Sequence, residues 1–445
     1  MSAPRWPLLL ALGVTVAGAA AAWLNRAELA PEPTVVFVVL DTVRADRLSV
    51  CGYDKPTTPV LEQLVARGAT ITCDAYAPGA WTLPSHASFF TGLPVWEHGA
   101  VMATGGEGQA LFDHAVHPLS EDLPTLAERM AERGYATVLL SENSVVGPKT
   151  GLDRGYELVQ SWYRCGQPSP GYLHPELDRL LGELAEDPRP LFLTVNICQA
   201  HAPRSGAPEG IEWLDHHAPA RVGDRMARRF LHGEMTPEQQ AAWLAELSDA
   251  YDWSVFLADQ ALGRVLQQLV ASGRADGGIR LVVTSDHGEM LGEHGVVEHM
   301  EFLWEPTARI PLVMLSESEP VALPEQVSGL VVHDLVLNGL LPEPLPDITA
   351  VSAPVHSRRR PPWPDDRPPT PMAAHWSQSS KRMIIDGSDH QIDLVADPDE
   401  LVLNPAATDA SQARLRERYD VVQEQSSQAG DPGTHGLLQE LGYVE

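Results

Sequence analysis

Thr34 to Leu40 (Thr-Val-Val-Phe-Val-Val-Leu) is an unbroken apolar, β-branched run, the pattern of a strand buried on both faces. It delivers Asp41 at its C-terminal end. Similar runs predict strands at Ala69 to Tyr76, Tyr135 to Ser141, Leu191 to Cys198, Ile279 to Thr284 and Ile310 to Leu315. Between them the apolar spacing turns helical: from Thr58 to Arg67 with Gly68 as a stop, from Leu123 to Arg133 with Gly134, and from about Pro237 to Ser272 with Thr236 placed as a cap. Strands alternating with helices predict an α/β fold, a mostly parallel sheet sandwiched by helices.

A shorter element stands apart. In Ala80-Trp81-Thr82-Leu83-Pro84-Ser85-His86-Ala87-Ser88-Phe89-Phe90-Thr91-Gly92, a proline near the first turn and a glycine past the end bracket one short helix. Thr82 falls at its N-terminus, where unpaired N–H groups and the helix dipole favour an anion. A hydroxyl there is either a helix cap, its commoner role, or a nucleophile.

The end of the chain reads differently. Prolines crowd residues 342–371, as in an exposed connector. Beyond it, Lys381 to Ile385 and His390 to Val395 predict two strands joined at Asp386-Gly387-Ser388-Asp389, and Ser411 to Gln423 predicts a surface helix. Asp334 is expected to cap a helix. The division expected is a signal peptide or membrane anchor at 1–24, a linker at 25–33, a large domain at 34–340, a connector at 341–372 and a small C-terminal α+β subdomain at 373–445.

Composition narrows the classes. The net charge of −29 and the three lysines (Lys55, Lys149, Lys381) leave no basic block, which makes nucleic acid and anionic lipid surfaces poor candidates as partners. An acidic protein that handles an anionic ester needs a locally positive site, and a metal ion is the simplest. Arg5 ahead of an apolar run at 8–24, with small residues at 19–22, reads as an export signal, and the run is barely long enough to span a bilayer. The body is therefore expected outside the cytoplasm, periplasmic or extracellular, with a tether through the N-terminus left open. Cys51, Cys73, Cys165 and Cys198 have no metal-ligand spacing; in an exported chain they are open to any of three disulfide pairings or to buried thiols.

Active groups in parallel sheets collect beyond the strands' C-terminal ends, where Asp41, His201, Asp286 and His287 all fall. Together with Thr82, they suggest one centre. Asp41, Thr82, Asp286 and His287 supply three oxygens and one imidazole nitrogen to a divalent ion, with Thr82 between metal and substrate. The ion would lower the pKa of the hydroxyl, and His201 and His299 would donate to the ester oxygens or protonate the leaving group. The chemistry implied is in-line displacement at sulfur or phosphorus through a covalent Thr82 intermediate. His294 and Glu293 are uncommitted. No G-x-S-x-G elbow surrounds any serine, which removes that class of esterase.

Several segments occur together in a fixed order: Leu40-Asp41-Thr42-Val43-Arg44-Ala45-Asp46-Arg47-Leu48, Ala77 to Gly92, Tyr251-Asp252 to Gly263, Ser285 to His294, Arg309 to Val313, and Gln391-Ile392-Asp393-Leu394 with Asp397-Pro398-Asp399-Glu400. Through them the chain, from Thr34 to about Ala406, resembles the sulfatase family of the alkaline phosphatase superfamily. The resemblance implies the superfamily's sheet-and-helix fold and an ester hydrolase, with 34–340 as the catalytic domain. Its signature C-x-P-x-R carries a Cys or Ser oxidised to formylglycine; here the positions read Thr82, Leu83, Pro84, Ser85 and His86, and threonine cannot give that aldehyde. His86, at the arginine position, is expected to bind substrate, although a histidine one turn into a helix more often packs or faces solvent. The family's paired aspartates become Asp41-Thr42, its Asp-Asn becomes Asp286-His287, and its substrate-binding Lys becomes His299. A carboxylate lost and an imidazole gained favours zinc or manganese over calcium. Thr with Asp and His ligands also looks like the phosphoethanolamine- and phosphoglycerol-transferring relatives and the superfamily's phosphodiesterases. The expected activity is hydrolysis of a sulfate or phosphate ester, on a glycan or lipid among other carriers. The alternatives are a head-group transferase on envelope glycan or lipid, and a non-catalytic relative that binds anionic glycan.

Overall fold

The computed structural model describes residues 32–103, 115–163, 165, 173–216, 221–222, 224–300, 302–316, 320–352, 372–385, 387–428, 430–431 and 434. The expected export segment and most of its linker, residues 353–371 of the proline-rich stretch, and the chain beyond 434 lie outside them. Among the described residues, no helix is long and apolar enough to cross a membrane.

Eight strands form the central sheet: β1 (Thr34–Leu40), β2 (Thr70–Tyr76), β3 (Ala136–Ser141), β4 (Leu158–Ser161), β5 (Leu191–Ile197), β6 (Ile279–Thr284), β7 (Arg309–Ser316) and β8 (Gln326–Ser328). Their order is β8-β2-β7-β6-β1-β5-β3-β4. All pairings are parallel except those of β7, which runs antiparallel to β2 and β6. β1 is central because both of its faces can be buried. Val35, Phe37 and Val39 point into one core with helices α2 (Thr82–Thr91), α3 (Leu126–Glu132) and α6 (Val331–Asn338). Val36, Val38 and Leu40 point into the other, with α1 (Pro59–Ala66), α4 (Leu173–Glu183) and α5 (Pro237–Ala271). The period-two alternation of a strand thus feeds two helical layers.

Helix boundaries follow local chemistry. Thr236 caps α5 as expected, accepting from the Gln239 N–H in a capping box. Asp334 does not cap α6: Leu330 holds that position, and the Asp334 carboxylate accepts from the Asn338 amide one turn on. Two disulfides form, Cys51–Cys73 and Cys165–Cys198.

A second, antiparallel sheet of five strands follows: β9 (Thr349–Ser352), β10 (Met372–Ser377), β11 (Ser380–Ile385), β12 (Ser388–Asp393) and β13 (Asn404–Pro405). Part of the expected connector is therefore an edge strand, β9. Helix α7 (Ala410–Ser426) returns from this sheet to the first core through Leu415, Tyr419 and Val422. Lys381, on β11, is fully buried; it donates to Glu400 Oε1 (2.6 Å), Glu305 Oε1 (3.2 Å) and the Leu303 carbonyl, and its ammonium lies 4.7 Å from the Trp376 ring. One cation ties the second sheet to the segment that leads into β7. Removing one partner of a buried ion network strands the others without compensation. Lys381→Ala is therefore expected to lower the unfolding free energy by about 3–5 kcal/mol, read by urea titration, whereas an exposed substitution such as Arg179→Ala on α4 should change it little.

Candidate active site

The loop after β1 is shaped to carry Asp41. Thr42 adopts a left-handed φ of 61°, uncommon for a β-branched residue. The turn aims the Thr42 N–H at Asp286 Oδ1 (3.3 Å). Tyr251 from α5 donates to the Thr42 carbonyl (2.7 Å) and accepts from the Arg44 N–H (2.8 Å). Ser285 accepts from the Val43 N–H (3.0 Å), so the loops after β1 and β6 are laced together. Gly288 closes the second loop where no side chain fits: a Cβ there would lie 2.0 Å from the Pro306 carbonyl oxygen.

Asp41, Asp286 and His287 are fully buried, and each has one end saturated by the protein. Asp41 Oδ2 accepts from Asn143 (2.9 Å) and Asn196 (3.3 Å). Asp286 Oδ1 accepts from the backbone N–H groups of His287 (3.0 Å) and Thr42. His287 Nδ1 donates to the Gly288 carbonyl (2.9 Å), so the neutral ring, the form that binds a metal, has its lone pair at Nε2. The other three atoms, Asp41 Oδ1, Asp286 Oδ2 and His287 Nε2, make no hydrogen bond among the described residues. They converge: Nε2 is 3.3 Å from Asp286 Oδ2 and 4.0 Å from Asp41 Oδ1, and all three lie within 4.8 Å of one another.

Two ligands at about 2.1 Å from a tetrahedral ion lie about 3.4 Å apart, so these spacings fit a small dication, with the imidazole orientation set by a backbone carbonyl. The charges fit too. Burial first, and the Asp286 carboxylate second, push Asp41 up to about 8. Burial alone would raise Asp286, but the facing His287 holds it below the usual carboxylate range. Burial opposes charge on His287 as well, yet the two carboxylates carry it to about 9. Negative groups crowded in a dry site call for a cation between them.

Thr82 is the first residue of α2 and is fully buried. It is not the cap: Trp81 occupies that position, and no side chain caps the helix. The Thr82 hydroxyl oxygen accepts from Asn143 Nδ2 (3.2 Å), the same nitrogen that binds Asp41. A single amide therefore couples Thr82 to a member of this buried carboxylate and imidazole cluster.

His86 needs correction as a substrate-binding residue. It is fully buried, and both of its ring nitrogens are engaged. The Asn196 amide, fixed by its bond to Asp41 Oδ2, donates to Nε2 (3.2 Å). Nδ1 must then carry the proton, which goes to the Thr82 carbonyl (3.0 Å), 3.6 Å from Asp286 Oδ2. Burial first lowers the pKa of this ring, keeping it neutral. His86 holds the base of α2 against Asp286 rather than facing a ligand.

His201 and His299 are brought to the same centre. Their ring centroids are 5.0 Å apart, and those of His287 and His299 are 4.3 Å apart. His201 Nδ1 donates to the Ala202 carbonyl (2.5 Å). Burial, then the neighbouring His299, pushes its pKa down to about 3. His299 Nδ1 donates to Glu289 Oε1 (2.9 Å), while Arg204 binds the other oxygen of that carboxylate. The Cys165 and Cys198 sulfurs lie beside His201, but their disulfide removes them as ligands. Glu293 and His294 do not form a second centre: Glu293 pairs with Arg44 (2.7 Å), and His294 stacks on Trp304 with centroids 4.1 Å apart. They border a separate cleft of about 980 Å³ between the two sheets, and none of Asp41, Thr82, Asp286 and His287 lines it.

Asn143, Asn196 and Glu289 escaped the sequence reading. The available signal was position: Asn143 follows β3 and Asn196 lies near the end of β5, at the same C-terminal edge that singled out Asp41.

A family model described as Sulfatase matches residues 33–342. An ulvan-active sulfatase of Formosa agariphila is 25% identical over 313 residues, 64% of this chain and 56% of that protein. Human arylsulfatase A is 34% identical over 153 residues, 34% of this chain and 26% of that protein. The chain thus aligns with about half the length of the first of these relatives and a quarter of the second. Among solved structures, the phosphonate monoester hydrolase of Agrobacterium radiobacter superposes with a TM-score of 0.61 at 19% identity, over 87% of this chain and 94% of that one. A likeness at that identity speaks for the fold.

Proposed function

Because the chain belongs to the sulfatase family, we propose that it is an exported, metal-dependent hydrolase of sulfuric or phosphoric esters in which Thr82 is the attacking group. The observation that carries this reading is the convergence of three bare buried atoms, on Asp41, Asp286 and His287, with the Thr82 hydroxyl coupled to the same set through Asn143. Decay toward a binding-only protein would not be expected to keep buried carboxylates facing each other, since that arrangement destabilises the fold unless it holds a cation.

Asp41 Oδ1, Asp286 Oδ2 and His287 Nε2, with the Thr82 oxygen as a fourth donor, would hold zinc or manganese in preference to calcium, because an imidazole replaces an oxygen. Such an ion would supply Lewis acidity, lowering the pKa of the hydroxyl and offsetting the ester's charge. The chain's own groups do the rest. The Thr82 hydroxyl gives its proton to His299, whose other nitrogen is oriented by Glu289. The threonine oxygen bonds to sulfur or phosphorus as the bond to the ester oxygen breaks, and the leaving oxygen takes the proton. Water then attacks the same atom, the Thr82 bond breaks, and the threonine recovers a proton. His201, held neutral, shapes the pocket beside His299.

The name of the ulvan-active relative favours a sulfate ester on a carbohydrate as substrate. Export is supported by the apolar segment at 8–24 and by two disulfides. The test is an assay of the purified protein, loaded in turn with zinc, manganese or calcium, against an aryl sulfate, an aryl phosphodiester and an aryl phosphonate monoester. Turnover that requires zinc or manganese and stops with a chelator is expected. A protein that binds no metal and turns over none of the three would instead be a non-catalytic relative.

A further inference from the structure

We infer that Asn143 holds the attacking oxygen of Thr82 and takes up part of its negative charge as the ester is attacked, an assignment that rests on the reading of Thr82 as nucleophile. The orientation of the amide follows from its partners. Asn143 Oδ1 accepts from the Val145 N–H (3.0 Å), a bond that an NH2 group could not make. Nδ2 therefore faces inward, 2.9 Å from Asp41 Oδ2 and 3.2 Å from the Thr82 hydroxyl oxygen. It has two hydrogens and two acceptors.

The backbone beneath it is equally fixed. Ser141 at the end of β3 accepts from the Asn143 N–H (3.1 Å) and donates to the Asn143 carbonyl (2.8 Å). β3 runs parallel to β5 with Ser141 opposite Asn196, so two amides arrive side by side above Asp41. They divide the work: Asn196 binds Asp41 and His86, whereas Asn143 binds Asp41 and Thr82.

A neutral amide is suited to this position. It brings a directed donor without a charge of its own, while the nearby cations Arg44 and Arg204 are engaged with Asp46 and Glu293, and with Glu289. The bond to a threonine hydroxyl is an ordinary one. Once the oxygen loses its proton the same bond becomes charge-assisted and stronger, so it stabilises the attacking state more than the resting state. An interaction of that kind appears in kcat, not in KM.

The experiment is a cycle of Asn143→Ala, Asn143→Ser, Thr82→Ala and the Thr82→Ala/Asn143→Ala double variant, each with metal content measured. Asn143→Ser stays neutral and keeps a side-chain oxygen able to accept from the Val145 N–H two residues on, so it reports even where alanine fails to fold. Each Asn143 variant is expected to lower kcat by about 10²–10³, the usual loss for one donor to a developing oxyanion, with KM and bound metal nearly unchanged. In the Thr82→Ala background, Asn143→Ala should change the residual rate by less than about threefold, since the oxygen it serves is gone. Three results would overturn the assignment: a kcat near the parent's, losses that multiply in the double variant, or a fall in metal content that parallels the fall in rate. A fully active Thr82→Ala enzyme would instead remove the nucleophile reading itself.

Discussion

Thr82→Ala is expected to lower kcat by roughly three to six orders of magnitude, the range seen when a nucleophile is deleted while binding groups remain. Thr82→Ser should recover most of that loss, because the oxygen, its place at the start of α2 and its contact with Asn143 are kept. The alanine variant should fold normally. Thr82 is not the cap of its helix, so truncation removes no N-terminal hydrogen bond from α2. Its hydroxyl accepts one amide hydrogen bond, from Asn143 Nδ2, that alanine would release. Thermal unfolding of the metal-free protein is therefore expected to shift by only a few degrees while turnover collapses, a separation that distinguishes chemistry from structure. Because a threonine needs no oxidation to an aldehyde, protein from a host without formylglycine maturation should have full activity. Retention of activity in Thr82→Ala would show that water or another side chain attacks the ester, leaving Thr82 as packing.

Much of the framework was legible because both faces of the central strands are buried. An unbroken apolar run has no other soluble use at that length, and β1 and β6 were bounded in the sequence as the structure has them. The edge strands β4 and β8 were not found: they are only four and three residues long, and β4 is half-buried, so no run or alternation marks them. Charged groups at strand ends were found by position. The amides beside them were not, because asparagine after a strand is ordinary turn chemistry and nothing local distinguishes Asn143 from a turn residue. His86 was misassigned for a related reason. Its sequence neighbours show only a helix, whereas its role depends on Asn196, 110 positions away, and on Asp286. The disulfide pairing was likewise set by the fold, which brings Cys165 within reach of Cys198 at the end of β5.

Asp41→Asn should separate metal binding from folding in opposite directions. The side chain keeps its shape, and its Oδ2 position accepts from two fixed amides, Asn143 and Asn196. An asparagine must place its oxygen there, which puts its NH2 where Asp41 Oδ1 stood, among Asp286 Oδ2 and His287 Nε2. The bare Asp286 Oδ2 would then gain a donor, and one of two facing carboxylates would be gone. A satisfied buried hydrogen bond contributes about 1 kcal/mol, and more to a charged partner. The metal-free variant is therefore expected to unfold a few degrees above the metal-free parent. With metal the order reverses. The parent should gain about 2.7 kcal/mol at a metal concentration a hundred times its dissociation constant, and a corresponding rise in melting temperature. The variant, offering an amide NH2 with no free lone pair where a carboxylate oxygen is needed, should gain little and hold no stoichiometric ion after dialysis. Melting curves with zinc, manganese and chelator read both effects without any substrate. If the variant melts below the metal-free parent and still shows a full metal-induced rise, Asp41 is a structural residue and the centre must be sought elsewhere.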